Sequence, residues 1–159
     1  MRQRKTIRIL AIVLVIAAIS TLFAGCTPRT SIKAEDFKDK MAANGYLMTD
    51  ATSQFSNYEF VQKVWIASDA SYRYQIEFYQ LENEDYAKEA FAVNKQNFEG
   101  VTGTVTGSTN ISMGNYAKFT QIADGRYMVV TRIDNTMIYI DAEITYKAEI
   151  EEIMKDLDY

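Results

Sequence analysis

Residues 115–143 read NYAKFTQIADGRYMVVTRIDNTMIYIDAE, and the alternation within them decides the fold. Two dipeptides, Asp124-Gly125 and Asp134-Asn135, interrupt runs rich in β-branched and aromatic residues. Asp-Gly is a strong hairpin signal, because both positions of the tight primed turn need positive φ. Three antiparallel strands follow. Tyr116, Ile122, Tyr127, Val129, Ile133, Ile138 and Ile140 share one face. Phe119, Met128, Val130, Met137 and Tyr139 line the other, with Gln121, Arg132 and Asp141 among them. Both faces are apolar, so helices or the N-terminal segment have to cover part of each.

Upstream, residues 58–81 (YEFVQKVWIASDASYRYQIEFYQL) read as a second hairpin around Ser68-Asp69-Ala70-Ser71. With Asp69-Ala70 as the tip, Trp65 falls opposite Tyr74, Val61 opposite Phe78, Ile76 opposite Lys63, and Ala67 beside Tyr72. That face is the core face. The other mixes Tyr58, Phe60, Val64, Ile66 and Tyr79 with Arg73, Gln75 and Glu77. A one-residue slip exchanges the faces, so the pattern itself argues for the register.

Helices flank the two hairpins. Ala34, Phe37 and Met41 recur at helical spacing over 34–44, with Glu35 and Asp36 at the positive N-terminal end and Asn44-Gly45 as the stop. A second helix over 84–98, capped by Asn83, buries Ala87, Ala90, Phe91, Asn94 and Phe98. Residues 99–110 (EGVTGTVTGSTN) read as a mobile Gly/Thr/Ser loop. The last helix, over 146–157, carries Tyr146, Ile150, Ile153, Met154 and Leu157 on one stripe. The expected architecture is α+β, in the order α-β-β-α-β-β-β-α. Three helices pack a mainly antiparallel sheet of about five to six strands, a short one near 46–52 being the optional sixth.

The chain opens MRQRKTIRILAIVLVIAAISTLFAGC. Arg2, Arg4, Lys5 and Arg8 precede an uncharged apolar run that closes on Ala24-Gly25-Cys26. A positive stretch, an apolar stretch and small residues before the cut are the parts of a secretory signal. With a cysteine after the small pair, the segment resembles a bacterial lipoprotein signal, although Phe23 stands where that pattern has Leu, Val or Ile. The resemblance implies that residues 1–25 are removed and Cys26 is acylated by diacylglyceryl or palmitate-type chains. Residues 26–33 then form a tether, and 34–159 a single domain at the extracytoplasmic face of the cell membrane. The rival is an uncleaved signal anchor; the run from Ile9 to Gly25 is slightly short of the roughly 20 apolar residues of a span. Both put the domain outside the cytoplasm.

Loss of residues 1–25 leaves 134 residues with 13 basic and 21 acidic side chains, a net charge of −8. That balance repels nucleic acid and anionic headgroups, so nucleic-acid binding is excluded and membrane contact falls to the lipid on Cys26. A domain of this size builds its core by packing, without disulfides. The chain has no histidine, which removes Ser-His-Asp and Cys-His catalysis and the commonest transition-metal ligand. Cys26 is the only cysteine, and no GxxxxGK[ST], GxGxxG or EF-hand loop occurs. No cofactor or metal site is expected. Carboxylates could act alone on glycosides. Asp141 with Glu143, and Glu82 with Glu84 and Asp85, are the pairs to weigh; turns and helix N-termini are their structural uses.

The remaining candidates are aromatic. Tyr58, Phe60, Tyr79, Phe119 and Tyr139 fall on the mixed sheet faces, and any left uncovered makes a contact patch for an envelope protein, a peptide or a glycan. The helix-Gly45-Tyr46 pattern after Phe37, the strand YQIEFYQL over 74–81 and RIDNTMIYID over 132–141 resemble small uncharacterised lipoproteins of Gram-positive bacteria. In element order the domain is similar to the PsbP/Mog1 sandwich. These resemblances imply a fold and no activity. The sequence therefore points to a non-catalytic binding module, with a carboxylate-dependent envelope hydrolase and a structural subunit of a membrane complex as alternatives. Intact mass of the membrane-extracted protein tests the address. The expected mass lacks residues 1–25 and gains a diacylglyceryl increment that Cys26→Ala loses. An unprocessed mass means a signal anchor.

Overall fold

The structure, a computed structural model, describes residues 28–159. The expected signal helix over 1–25, the lipidation site Cys26 and Thr27 lie outside the described residues. In chain order the elements are α1 (Ala34–Ala43), β1 (Leu47–Asp50), a 3-10 turn (Thr52–Phe55), β2 (Val61–Ser68) and β3 (Gln75–Leu81). Then follow α2 (Glu84–Glu99), β4 (Val105–Met113), β5 (Tyr116–Ala123), β6 (Arg126–Ile133), β7 (Thr136–Glu143) and α3 (Lys147–Asp156). One antiparallel sheet takes all seven strands in the order β1-β2-β3-β7-β6-β5-β4. The α+β class and the three helices stand, and the strand count rises from five to six to seven.

The added strand is β4, in what reads from sequence as a mobile loop. Its residues, VTGSTNISM, show no apolar alternation, and nearly all are exposed. An edge strand needs none of that: main-chain hydrogen bonds to β5 hold it, from Val105 opposite Ala123 to Met113 opposite Tyr116. Gly114, at φ +57, makes the tight turn between the two strands.

The β5–β6–β7 meander has the expected register. Ala123 pairs with Arg126 and Ile133 with Thr136, and Asp124 (φ +47) and Gly125 (φ +74) both occupy the left-handed region that a primed turn requires. The first hairpin is shifted. Trp65 faces Phe78 and Ala67 faces Ile76, not Tyr74 and Tyr72. The cause is Asp69, 5% exposed, whose carboxylate gathers the backbone N–H groups of Ser71, Arg73 and Tyr74 and the Arg73 Nε (2.8 Å). These bonds close a wider loop over 69–74 in place of a two-residue tip. Tyr72 is thereby lifted to the apex at φ +57, 75% exposed and off the core face. The slip is four residues, an even number, so the faces from Lys63 onward are kept; a register shift between Val61 and Lys63 sets Val61 opposite Leu81, which turns it from the expected core face to the face of Tyr79.

The helices begin and end on local signals. Asn83 Oδ1 accepts from the backbone N–H of Asp85 and Tyr86, each at 3.1 Å. At the end of α1, Gly45 (φ +86) donates to Ala42 O and Tyr46 to Met41 O, the paired bonds of a Schellman stop. α1 and α3 cover one sheet face with Phe37, Met41, Ile150 and Met154. Phe37 stacks on Phe78 at 4.7 Å, and both are fully buried. α2 crosses the other face and seals Phe98 over Phe119, Met128, Val130 and Met137. Each such side chain contributes about 1.5–3 kcal/mol by leaving water.

The expected tether over 26–33 is part of the domain from Arg29 onward. Arg29 exchanges two hydrogen bonds with the Asn115 side chain, and Ile32 packs against the first core. Among the described residues no helix is long and apolar enough to cross a membrane.

Burial alone would raise the Asp69 carboxyl, but the Arg73 side chain and three backbone N–H donors outweigh it and hold the group at about 2. A carboxyl depressed in the folded state contributes stability above its ordinary range and loses it as pH falls through the folded value. The urea midpoint should drop between about pH 4 and about pH 2, and Asp69→Asn should remove that part of the acid sensitivity.

Candidate functional site

One helix cannot cover this sheet. Seven strands at about 4.8 Å span about 30 Å, and a helix with its side chains is about 10 Å across. α2 lies mainly over β6, with β7, β5 and β3 beside it, which leaves the β2 side of the same face and part of β3 open. The segment 51–60 folds back over that side. Asp50 starts the fold by accepting from Thr52 N at 3.0 Å and from the Lys63 ammonium at 2.7 Å. Ala51 N bonds to Val64 O and Thr52 Oγ1 accepts from Val64 N, both at 3.0 Å, tying the segment to β2.

Between this segment and α2 lies a groove of about 840 Å³. Its floor is Val61, Tyr79, Leu81, Met137 and Tyr139, one wall is Phe55, Tyr58 and Phe60, and the other is Tyr86, Ala90, Val93 and Asn94. The rings hold one another. Phe55 meets Tyr79 edge-on at 5.5 Å, Tyr58 meets Phe60 at 5.8 Å, and Phe60 stacks on Tyr86 at 4.7 Å and 14°. This arc of aromatic contacts runs from the sheet to the helix and closes one end of the groove. Tyr58 and Val93, 53% and 52% exposed, form its open lips.

Charge in the groove has one sign. Glu77 and Glu89 line it, and no lysine or arginine does. Glu77 accepts from Gln75 Nε2 at 2.7 Å and from the Tyr79 hydroxyl. Burial, that hydrogen bond and the Glu77 charge all raise the Tyr79 phenol, which stays protonated and donates. Burial, helped by Asp141 and Glu77, also raises Tyr139. Beyond Glu77 and Tyr139 a more polar depression of about 530 Å³ continues towards Arg73, Gln75 and Asp141.

Four of the five sequence candidates, Tyr58, Phe60, Tyr79 and Tyr139, therefore meet in one groove. Phe119 does not: it is 2% exposed under α2, and its ring packs with the second core. Its strand lies where the helix covers the sheet. The carboxylate pairs weighed for hydrolysis do not line the groove. Asp141 is bound to Arg126 (2.7 Å), Glu84 to Arg132 (3.3 Å) and Lys88 (3.2 Å), and Asp85 to Lys88 (3.2 Å). Glu82 and Glu143 are exposed. Among the described residues no group of His, Cys, Asp or Glu is assembled that could hold a metal ion.

Sequence reasoning missed Phe55, Glu89, Val93 and above all Tyr86. A signal for the helical ones was present, since Tyr86, Glu89, Ala90 and Val93 recur at helical spacing beside the expected Ala87/Ala90/Phe91/Asn94/Phe98 stripe, of which only Ala87 and Phe98 are buried while Ala90 and Asn94 line the groove. One helix thus presents two neighbouring stripes, one sealed on the sheet and one facing the groove. Fold and site together define an α+β domain with an open aromatic groove between a helix and the uncovered half of a sheet face. No protein-family model matches the chain, and no curated protein and no solved structure matches it either.

The Phe60–Tyr86 stack should couple the 51–60 segment to α2. A double-mutant cycle with Phe60→Ala and Tyr86→Ala should give about 0.5–1.5 kcal/mol of interaction energy in urea unfolding. Additive losses would mean that the rings do not join the two walls.

Proposed function

We propose that this protein is a non-catalytic binding module, held at the extracytoplasmic face of the cell membrane by lipid on Cys26, and that the groove is its ligand site. The observation that carries the reading is the groove itself: several aromatic rings fixed by one another, with apolar walls left open to solvent. Preformed apolar clefts with a few polar groups are where ligands bind, and mutual ring packing lowers the ordering cost of binding.

The chemistry of the lining selects the ligand class. Walls of Phe, Tyr, Val, Leu and Met suit apolar side chains, with Glu77, Glu89, Asn94 and the tyrosine hydroxyls as the polar groups. With two carboxylates and no cation, the groove disfavours anions and suits an apolar peptide segment that carries a lysine, arginine or amide donor. A segment of an envelope protein is the ligand proposed. Hydrolysis lacks support, because the carboxylates weighed for it are ion-paired or exposed, away from the groove.

The test is NMR titration of the protein with short apolar peptides that differ only in net charge. Cationic peptides should shift Tyr58, Phe60, Tyr86 and Val93 resonances, anionic ones should bind at least tenfold more weakly, and Val93→Lys, which sets a cation at the lip, should abolish the shifts of Tyr58, Phe60 and Tyr86 while thermal stability is kept. Shifts confined to the exposed β4 edge would refute the groove as the site.

A further inference from the structure

The turns and chain segments at one end of the sheet are stitched together. The β4–β5 turn carries Asn115, whose backbone O accepts from Asp134 N (3.0 Å) and whose side chain donates to the Asp134 carboxylate (2.9 Å) in the β6–β7 turn. Asn135 of that second turn bonds to Leu81 in both directions (2.8 and 2.7 Å), and Glu82 N donates to Phe60 O (2.9 Å). The opposite end carries the 69–74 loop, the Asp124-Gly125 turn and the end of β7 at Glu143.

The N-terminal chain joins the stitched end. Arg29 N donates to Asn115 Oδ1 (3.1 Å), Asn115 Nδ2 donates to Arg29 O (2.7 Å), and the Arg29 guanidinium lies 3.9 Å over the Tyr116 ring. One guanidinium N–H also reaches Asp158 O at 3.2 Å. These contacts fix the point at which the chain leaves the domain. Only Thr27 and Pro28 separate Arg29 from Cys26. Three Cα steps reach at most about 11 Å, and proline stiffens one of them.

We propose that the Arg29 end of the sheet faces the lipid surface. The domain is held in one orientation by a leash too short to let it turn over. The inference rests on the reading of Cys26 as the lipid attachment. The exposed side chains at this end, among them Glu82, Arg29 and the Asp85–Lys88 pair, are charged, so this end stands at the length of the leash and does not insert. The orientation puts the Phe60–Tyr86 end of the groove nearest the membrane, because Phe60 is bonded to Glu82 there. The polar depression at Arg73 points away from it.

The test uses the lipidated protein in phosphatidylcholine vesicles that contain headgroup nitroxide lipid. Glu82→Cys and Ala70→Cys place single labelling thiols at opposite ends of the β2–β3 hairpin, about 20–25 Å apart along β3. Cys26, acylated, takes no label. A fluorophore at position 82 should lose most of its emission and one at position 70 should keep it, and a 12-residue Gly/Ser insertion after Thr27 should abolish the difference. Equal quenching at both positions on protein of confirmed lipidated mass overturns the orientation and leaves the anchor intact. A mass without the lipid increment overturns the anchor itself, and the orientation with it.

Discussion

The structure depends on a mismatch of widths. Its sheet has seven strands and is apolar on both faces, and the described residues supply three helices to cover them. Two helices share the face of Phe78, Val129 and Ile138 and bury its centre, leaving Ile111 and Met113 of the edge strand β4 exposed. A single helix serves the other face, and a helix about 10 Å across cannot shield strands that together span about 30 Å. The exposed remainder falls on β2, β3 and the near edge of β7. Aromatic side chains from 51–60 roof it without filling it. The groove follows from that shortage of cover.

The same mismatch explains the division of labour on α2. Ala87 and Phe98 are fully buried where the helix lies on the sheet, whereas Tyr86 and Val93 look across the groove. The helix is at once a lid for one half of the face and a wall for the other. Phe98 is stacked on Tyr139 at 5.1 Å, so the ring at the edge of the groove leans on the sealed core. Binding surfaces carried on rigid elements keep their shape when empty, which favours affinity without folding on contact.

Parity governs how much of this was open to sequence reasoning. Within 115–143 the period of two assigned Ile138 and Tyr139 to opposite faces correctly, because adjacent tight turns leave no freedom of register. In 58–81 the same period assigned the faces from Lys63 onward although the pairing was four residues out, since Asp69 closes a longer loop than its sequence shows, and it failed at Val61, which a bulge turns to the other face. Strand β4 escaped notice because an edge strand is held by backbone bonds, which leave no apolar trace in VTGSTNISM.

The sequence by itself determined the three helices, the strands other than β4, most of their faces, the helix caps at Asn83 and Gly45, and which aromatic residues stand on the mixed face. Each of these is set by chemistry within a few residues along the chain. It also determined what the chain lacks: with no histidine and one cysteine, most catalytic constellations have no parts to build from. The tertiary structure alone decided which aromatics remain open. Tyr79 and Phe119 have the same standing in sequence, yet one lines a groove and the other lies under α2. The difference is where a single helix comes to rest across seven strands, a matter of contacts between residues far apart in the chain, to which local periodicity carries no clue.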